Sequence, residues 1–325
     1  MIRVPAQYPN HIPTKIAFVT DMPGDEDREK GIPLAGNNGR VFNSMLRTAA
    51  LERADFHVTT VWDDERPEDY TKLDHTPYFE RLRNELLDVR PNVIVPLGGP
   101  ALWAFTGDAS IQANRGTILP ATRIVPGAKL LPTFHPLAIV QQWKFFSVVV
   151  GDLLKAVKEA ERGPAIVIPH KELTLEPNLD DIRGYKAKLF ASDLLSVDIE
   201  TGWGQITCIG FAPNANEAIC VPFVDRRKAN RSFWDTPSEE IEAWKLVREI
   251  MEHPVPKLGQ NFAGYDAYWF AQLGIHPRNL RHDTRLLHHA LYPELPKDLE
   301  FMGASYTQQG AWKNWSRRKG EKRDD

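Results

Sequence analysis

The stretch LLSVDIETGWGQITCIGFAPNANEAICVPFV (194–224) decides the fold of the second half of the chain. It contains three β-branched and apolar runs, at 194–201, 205–212 and 218–224, which short polar segments separate. Runs of this kind between turn residues predict three successive strands joined by tight turns. Apolar residues at helical spacing follow at 237–253 and 265–274. The pattern therefore predicts an α/β domain that opens with three antiparallel strands.

Two acidic residues lie on the first of these strands. Asp198 and Glu200 are two residues apart, so both side chains point to the same side of the strand. The neighbouring residues are apolar, which predicts a face near the core, where two unpaired carboxylates repel each other and are costly to desolvate. A divalent cation such as Mg²⁺ or Mn²⁺ would relieve both costs. The alternative is an edge strand whose acids face the solvent, and this spacing alone favours neither.

Two further segments follow in a characteristic order. The first, KLGQNFAGYDAYWF (257–270), has a strand-like approach, the polar Asn261, and Asp266 at the start of an amphipathic helix. The second is HDTRLLHHALYP (282–293). Together with VDIET (197–201) this order resembles the DEDD-type 3′–5′ exonucleases, in particular the proofreading domain of family A DNA polymerases. The resemblance covers about residues 190–310 and implies a ribonuclease-H-like α/β fold.

The exonuclease resemblance implies roles for individual residues. Asp198, Glu200 and Asp266 would bind two Mg²⁺ or Mn²⁺ ions, and Thr201 and Asn261 would contact the substrate, the 3′ end of single-stranded DNA. Two departures stand out. Asn261 and Asp266 are five residues apart instead of the usual four, so we expect a bulge at Gly264 or a displaced Asp266. In the second half of the chain no tyrosine precedes an aspartate by four residues, so the third motif of the family is missing and the site is expected to be incomplete.

The first half alternates strand and helix patterns. Strands are predicted at 15–20, 56–62, 92–98 and 128–134, and helices at 40–52, at 78–90 and from Leu137 to about Ala160. Such alternation predicts a mostly parallel central sheet with helices on both faces, which is a three-layer α/β/α domain.

Two features of the first half suggest a binding site. The loop TDMPGDEDREKGIPLAGNNGR (20–40) carries Gly36 and Gly39 just before a predicted helix, and backbone N–H groups at such a place suit a phosphate. A purely structural turn is the alternative. The segment PTFHPLAI (132–139) places His135 between a strand end and a helix.

Together these segments resemble the uracil-DNA glycosylase superfamily, nearest to its families 4 and 5, over residues 15–160. The resemblance implies that Asp21, Pro23 and Gly24 belong to the first motif and His135 to the last. Leu34 stands in place of the family's base-stacking phenylalanine, and VWDDERPEDY (61–70) lacks the asparagine that reads the base. We therefore expect a DNA-binding domain without glycosylase activity, and an active uracil-DNA glycosylase is the alternative.

The composition fits two domains, since the chain has 325 residues, of which 42% are hydrophobic. We place a glycosylase-like domain at 1–162, a linker at 163–188 and an exonuclease-like domain at 189–325. Two cysteines, Cys208 and Cys220, exclude a disulfide framework and a four-cysteine iron–sulfur cluster. The longest apolar run is too short for a membrane helix, and the first residues show no secretory signal, so we expect a cytoplasmic protein without a membrane partner, in the host cytoplasm if a phage encodes it.

This domain order resembles the amino-terminal part of certain phage-encoded family A DNA polymerases. The expected function is therefore that of a proofreading-type 3′–5′ exonuclease module beside an inactive glycosylase-like domain. A second hypothesis is a non-catalytic accessory fragment that binds DNA or a separately encoded polymerase subunit. The basic, tryptophan-containing tail WKNWSRRKGEKRDD (312–325) is expected to be a solvated terminus or a DNA contact.

Overall fold

The structure is a computed structural model, and it describes residues 3–72 and 75–308. The tail at 312–325 lies outside the described residues. The strands are β1 (Ile16–Thr20), β2 (His57–Thr60), β3 (Val93–Pro96), β4 (Leu119–Pro120), β5 (Lys129–Leu130), β6 (Glu172–Thr174), β7 (Leu195–Gly202), β8 (Gln205–Ala212), β9 (Glu217–Pro222), β10 (Lys257–Gly259) and β11 (Leu280–Asp283). The helices are α1 (Asp25–Lys30), α2 (Asn37–Thr48), α3 (Thr76–Val89), α4 (Gly99–Thr106), α5 (Ile111–Asn114), α6 (Pro136–Gln141), α7 (Phe146–Glu161), α8 (Leu179–Phe190), α9 (Pro237–Glu252), α10 (Asp266–Gln272), α11 (Thr284–Leu291) and α12 (Leu299–Tyr306).

The chain forms two units. Unit 1 contains the described residues up to Val167 together with those from Glu294 onward, and unit 2 contains Ile168–Pro293. This division differs from the predicted one in two places. Part of the predicted linker forms β6 and most of α8, both of which belong to unit 2. Helix α12, predicted within the exonuclease-like domain, belongs to unit 1.

Unit 1 is built on a five-stranded sheet in the order β2-β1-β3-β5-β4. Every pair is parallel except β4 with β5. All five residues of β1 are buried because the sheet is covered on both faces. Ile16 and Phe18 pack into one apolar cluster, and Ala17 and Val19 pack into another. The predicted three-layer α/β/α arrangement is confirmed.

The long helix predicted from Leu137 to about Ala160 is interrupted, so this prediction was wrong in one respect. Helix α6 ends at Gln141, a short 3₁₀ turn covers Trp143–Phe145, and α7 begins at Phe146. At the break Phe145 is buried, and the centroid of its ring lies 4.9 Å from that of Phe134. Helical periodicity on both sides of the break concealed it, because both segments bury residues against the same cluster.

Helix α12 is held in unit 1 by two buried basic side chains. The Lys155 ammonium donates hydrogen bonds to the backbone carbonyls of Gly116, Ala304 and Thr307. The Arg115 guanidinium donates to the hydroxyl of Ser305. Segments that are about 150 residues apart in sequence therefore share one buried polar network.

Unit 2 contains a six-stranded sheet in the order β11-β10-β7-β8-β9-β6. Strands β7, β8 and β9 form an antiparallel meander, as predicted, while β10 and β11 run parallel to β7. The first strand of the meander thus lies at the centre of the sheet, which is the order of the ribonuclease-H-like fold that the sequence predicted. Residues alternate along β7 between buried and more exposed positions. No helix among the described residues has both the length and the apolar character needed to cross a membrane.

Candidate active sites

Asp198 and Glu200 lie on the central strand β7 with exposed side chains. Their neighbours Val197 and Ile199 are buried in the apolar cluster of unit 2. In the register of the sheet Asp198 pairs with Gly210 of β8, which contributes no side chain on that side. The prediction that this face lies near the core was therefore wrong. The alternative was right that the acids face the solvent but wrong that they lie on an edge strand, because β7 lies between β8 and β10.

Asp266 is the buried member of the acidic group. Asp266 is the first residue of helix α10 and is 3% exposed. Its carboxylate accepts a hydrogen bond from the backbone N–H of Ile199 at 3.2 Å. The pKa of Asp266 is raised to about 6, mainly by burial and also by the charges of Asp198 and Asp283. Asp266 thus lies close enough to both carboxylates for their charges to act on it.

The segment between Asn261 and Asp266 contains the extra residue that the sequence showed. Asn261 adopts a left-handed conformation with φ 57°, and Phe262–Gly264 form a single 3₁₀ turn. A Cβ atom at Gly264 would lie 2.8 Å from Oδ1 of Asn261. A larger residue here would displace the Asn261 amide, and the compact turn brings Asp266 to the strand even though the spacing is one residue longer.

Asp283 is a residue that the sequence reasoning did not include in the site. Its carboxylate accepts hydrogen bonds from the backbone N–H groups of Asn261 and Arg285, both at 3.0 Å, and it caps helix α11. The residue is 8% exposed. The available signal was an aspartate directly before a helical pattern, which is typical of an N-cap.

The side chains of Thr201 on β7 and Tyr265, which directly precedes Asp266, form a hydrogen bond next to the acidic residues. Their side-chain oxygens are 2.5 Å apart. Tyr265 is 44% exposed and directly precedes Asp266, so a hydroxyl pair and an aromatic ring border the acidic group.

The donors in this region have the chemistry that hard divalent cations prefer, since all of them are carboxylate oxygens. No group of three or more His, Cys, Asp or Glu side chains close enough to bind a metal ion occurs in the described part of the chain. The groups that shift the pKa of Asp266 are carboxylates and backbone groups, with no basic side chain among them. The repulsion between these acids is thus one that a cation would offset.

In unit 1 the loop after β1 is organised around Asp27. Its carboxylate accepts hydrogen bonds from the backbone N–H groups of Gly24, Leu34, Ala35 and Gly36. The N–H group of Gly36, predicted to bind a phosphate, is therefore already engaged by a carboxylate of the chain.

Gly39 and Pro23 shape the same loop. A Cβ atom at Gly39 would lie 1.8 Å from the carbonyl oxygen of Leu34, so only glycine allows helix α2 to approach the loop this closely. Leu34 itself is 2% exposed and packs in the core. Pro23 is also buried. These residues account for the shape of the loop without a ligand.

His135 lies at the carboxyl end of the parallel sheet of unit 1. Its Nδ1 accepts a hydrogen bond from the backbone N–H of Leu137 at 3.0 Å, so Nε2 carries the proton and donates to the Thr20 hydroxyl at 2.9 Å. Burial lowers the pKa of His135 to about 4. The imidazole is therefore neutral at physiological pH and acts as a hydrogen-bond donor.

Asp21 follows Thr20 at the same end of the sheet. Burial raises the pKa of Asp21 to about 6, against the opposing effect of Arg66, whose Nε lies 3.5 Å from the carboxylate. The Arg66 guanidinium also lies over the ring of Tyr70, 4.8 Å from its centroid. Arg66 and Tyr70 come from the segment in which the sequence lacks the base-reading asparagine, so an arginine and a phenol ring occupy that region instead.

Comparison with known proteins agrees with this picture of unit 1. Residues 7–156 match the family described as the Uracil DNA glycosylase superfamily, so unit 1 contains a domain of this superfamily. A type-4 uracil-DNA glycosylase from Thermotoga maritima is 27% identical over 150 residues, which are 45% of this chain and 78% of that protein. The resemblance of residues 15–160 to the uracil-DNA glycosylase superfamily, which the sequence suggested, is confirmed.

A DNA polymerase of Bacillus phage SP01 is 24% identical over 196 residues, which are 58% of this chain and 21% of that polymerase. The chain thus spans about a fifth of the length of this relative. The crystal structure of Escherichia coli RNase D, an exoribonuclease, is also similar, with a TM-score of 0.32 and 15% identity over 46% of this chain and 36% of that chain. The assignment of unit 2 to the ribonuclease-H-like fold rests on its own strand order.

Proposed function

We propose that unit 2 is a 3′–5′ exonuclease of the proofreading type, which removes nucleotides from the 3′ end of single-stranded DNA. The observation that carries this proposal is Asp266, a buried carboxylate held against β7 near the charges of Asp198 and Asp283. The similarity to a phage DNA polymerase over more than half of the chain supports DNA as the substrate.

In this proposal Asp198, Glu200 and Asp266 bind Mg²⁺ or Mn²⁺. Such ions, when bound, polarise the phosphodiester and lower the pKa of an attacking water. The chain itself contributes orientation. Exposed Asp198 and Glu200 present their oxygens at the surface of the sheet, and the hydrogen bond from Ile199 fixes the Asp266 carboxylate beside them.

Neighbouring groups would hold the substrate. Thr201 and Tyr265 provide hydroxyl groups at the edge of the acids, where they can contact the terminal sugar and phosphate. The exposed ring of Tyr265 offers a surface on which a base can stack. Asn261 carries an amide on the same loop as Asp266.

Unit 1 would bind DNA without excising uracil. Its domain belongs to the glycosylase superfamily, but buried Leu34 offers no aromatic surface to a flipped base, and Arg66 and Tyr70 occupy the region of the missing asparagine. Excision needs a ring under the base and an amide that reads its edge. Incubation of the wild type with a uracil-containing oligonucleotide tests this, since release of free uracil would contradict the proposal and support the glycosylase alternative.

The exonuclease is tested with a 5′-labelled single-stranded oligonucleotide in Mg²⁺ or Mn²⁺. We expect a ladder of shortened products from the wild type, no ladder in EDTA, and none from Asp198→Ala. Asp193→Ala is the matched control, because Asp193 is an exposed aspartate just before the same strand and its loss should leave the ladder unchanged. The absence of a metal-dependent ladder from the wild type would overturn the proposal and leave a DNA-binding or polymerase-associated accessory role.

A further inference from the structure

Unit 2 contains a cavity of about 410 Å³ beyond the acidic residues, which is within the range of small-molecule sites. It opens between helices α9 and α10 and the β7–β8 turn, and its lining combines aromatic rings with polar groups. The residues that define it include Phe223, Arg231, Glu240, Trp244, Trp269 and Gln272.

The aromatic part of the cavity is fixed by ring packing. Phe223 and Trp244 are stacked with centroids 3.7 Å apart and an interplanar angle of 15°. Trp269 lies on α10, three residues after Asp266, and its ring contacts that of Tyr265 edge-on at 6.3 Å. The cavity is thus connected to the acidic group through two adjacent aromatic residues.

Arg231 lines this cavity, and Arg226 lies over the same tryptophan ring as Arg231. The guanidinium groups of Arg226 and Arg231 lie 4.5 and 5.6 Å from the ring centroid of Trp203, which is 53% exposed at the β7–β8 turn. Neither arginine forms an ion pair with a carboxylate of the described residues. Both positive charges are therefore available to phosphate groups.

A second cavity adjoins the first. A neighbouring cavity of about 310 Å³ shares Glu240 and Trp244 with the first and is also lined by Trp234. Trp234 is 5% exposed, and its indole N–H has no hydrogen-bond partner in the described residues. A buried donor without a partner is costly, so the wall of this neighbouring cavity contains an unsatisfied polar group next to the residues that it shares with the first cavity.

We propose that this cavity is a second, non-catalytic site for a nucleotide of the single DNA strand whose 3′ end occupies the acidic group. The base would lie against Trp244 and Trp269, and a phosphate would contact Arg226 and Arg231. Rings with neighbouring free cations are the combination that binds single strands without sequence preference. This inference rests on the proposed function of unit 2. It adds a site that binds the DNA strand on the 5′ side of its terminal nucleotide.

The test measures binding of 5′-fluorescein oligothymidylates by fluorescence anisotropy in EDTA, where hydrolysis is stopped. We expect Arg231→Gln to weaken binding of an eight-nucleotide strand roughly tenfold and to reduce its salt dependence by about 0.7 in the log–log slope, the amount for one lost phosphate contact on a single strand. The difference between the two proteins should be smaller for a dinucleotide, which has a single internucleotide phosphate for the acidic group and Arg231 to share.

Arg278→Gln is the matched control, because Arg278 is an exposed arginine of unit 2 outside the cavity. Gln272→Glu is a second test that does not disturb the core, since Gln272 is exposed and the new charge should repel the strand. Equal affinities of wild type, Arg231→Gln and Gln272→Glu for the eight-nucleotide strand would overturn the inference. A ladder in the nuclease assay with no effect of these variants would reject this site alone, whereas length-dependent binding without a ladder would reject only the nuclease.

Discussion

The backbone N–H of Ile199 donates a hydrogen bond to the Asp266 carboxylate at 3.2 Å. This bond joins the central strand β7 to the first residue of helix α10, and it brings the buried acid beside the strand that carries Asp198 and Glu200. A carboxylate in this position is poorly solvated and close to like charges, which is unfavourable for the fold but suits the binding of a cation.

The first prediction concerns Asp266 itself. Its pKa of about 6 in the folded chain is above the ordinary value of 3.8, so the folded state resists ionisation of this group and loses stability as the pH rises from about 4 to 6. Asp266→Asn keeps an oxygen for the N–H of Ile199 and cannot ionise. At pH 8 in EDTA we expect its free energy of unfolding to exceed that of the wild type by about 1–3 kcal/mol, although the variant should lose nuclease activity.

Urea unfolding at pH 4 and pH 8 checks this prediction. The gain should be much smaller at pH 4, where Asp266 is protonated in the folded state and about half protonated in the unfolded state. Asp193→Asn, at an exposed aspartate, should show no such gain at either pH. A variant that is less stable than the wild type at pH 8 would contradict the electrostatic account.

The second prediction concerns His135 in unit 1. Its pKa of about 4 lies below the ordinary value of 6.5, so the unfolded chain binds more protons between these values. The contribution of His135 is fully present above pH 6.5 and is lost as the pH falls towards 4, by up to about 3 kcal/mol. His135→Asn, which can still cap α6, should remove this part of the pH dependence.

Chemical denaturation of wild type and His135→Asn at several pH values between 4 and 7.5 measures the difference. Comparison of the two proteins cancels the contribution of Asp21, whose raised pKa acts in the opposite direction in the same range. Parallel stability curves for the two proteins would show that His135 is not buried in its neutral form.

Much of this architecture could be predicted from the sequence, because strand and helix periodicities report burial directly. The meander of β7, β8 and β9 and the parallel core of unit 1 lie close to the predicted ranges. The sequence also predicted that Asp266 begins a helix, and the structure places this residue beside β7. What periodicity cannot supply is the partner of a buried polar group.

Two features show this limit. The Asp283 carboxylate accepts a hydrogen bond from the backbone N–H of Asn261, and no pattern in the sequence predicts this bond. The docking of α12 depends on Lys155 and Arg115, which lie far away in sequence and look like surface residues when they are considered alone.

The third prediction compares two helical glycines. Gly39→Ala should cost about 3 kcal/mol or more, because the new Cβ would lie 1.8 Å from the carbonyl oxygen of Leu34 and the backbone would have to shift. Gly151→Ala is the matched control, since it lies inside α7 with nothing within 4 Å of its Cβ position. This second change should stabilise unit 1 by about 0.5–1 kcal/mol through helix propensity. Thermal unfolding of both variants measures the opposite signs, and a destabilised Gly151→Ala would show that helix propensity does not govern this position.

The last prediction concerns the attachment of α12 to unit 1. Lys155→Met removes an ammonium that binds three backbone carbonyls, including that of Ala304 at 3.0 Å. Because those carbonyls would stay buried without a donor, we expect a loss of about 2–4 kcal/mol. The loss should appear first as faster amide hydrogen exchange in Leu299–Tyr306, whose contact with α7 depends on this network. Lys158→Met, at an exposed lysine one turn further along α7, should leave exchange in α12 unchanged. Equal protection of α12 in both variants would mean that other contacts, such as the cation–π contact of the Arg115 guanidinium with the Phe301 ring, suffice to hold the helix.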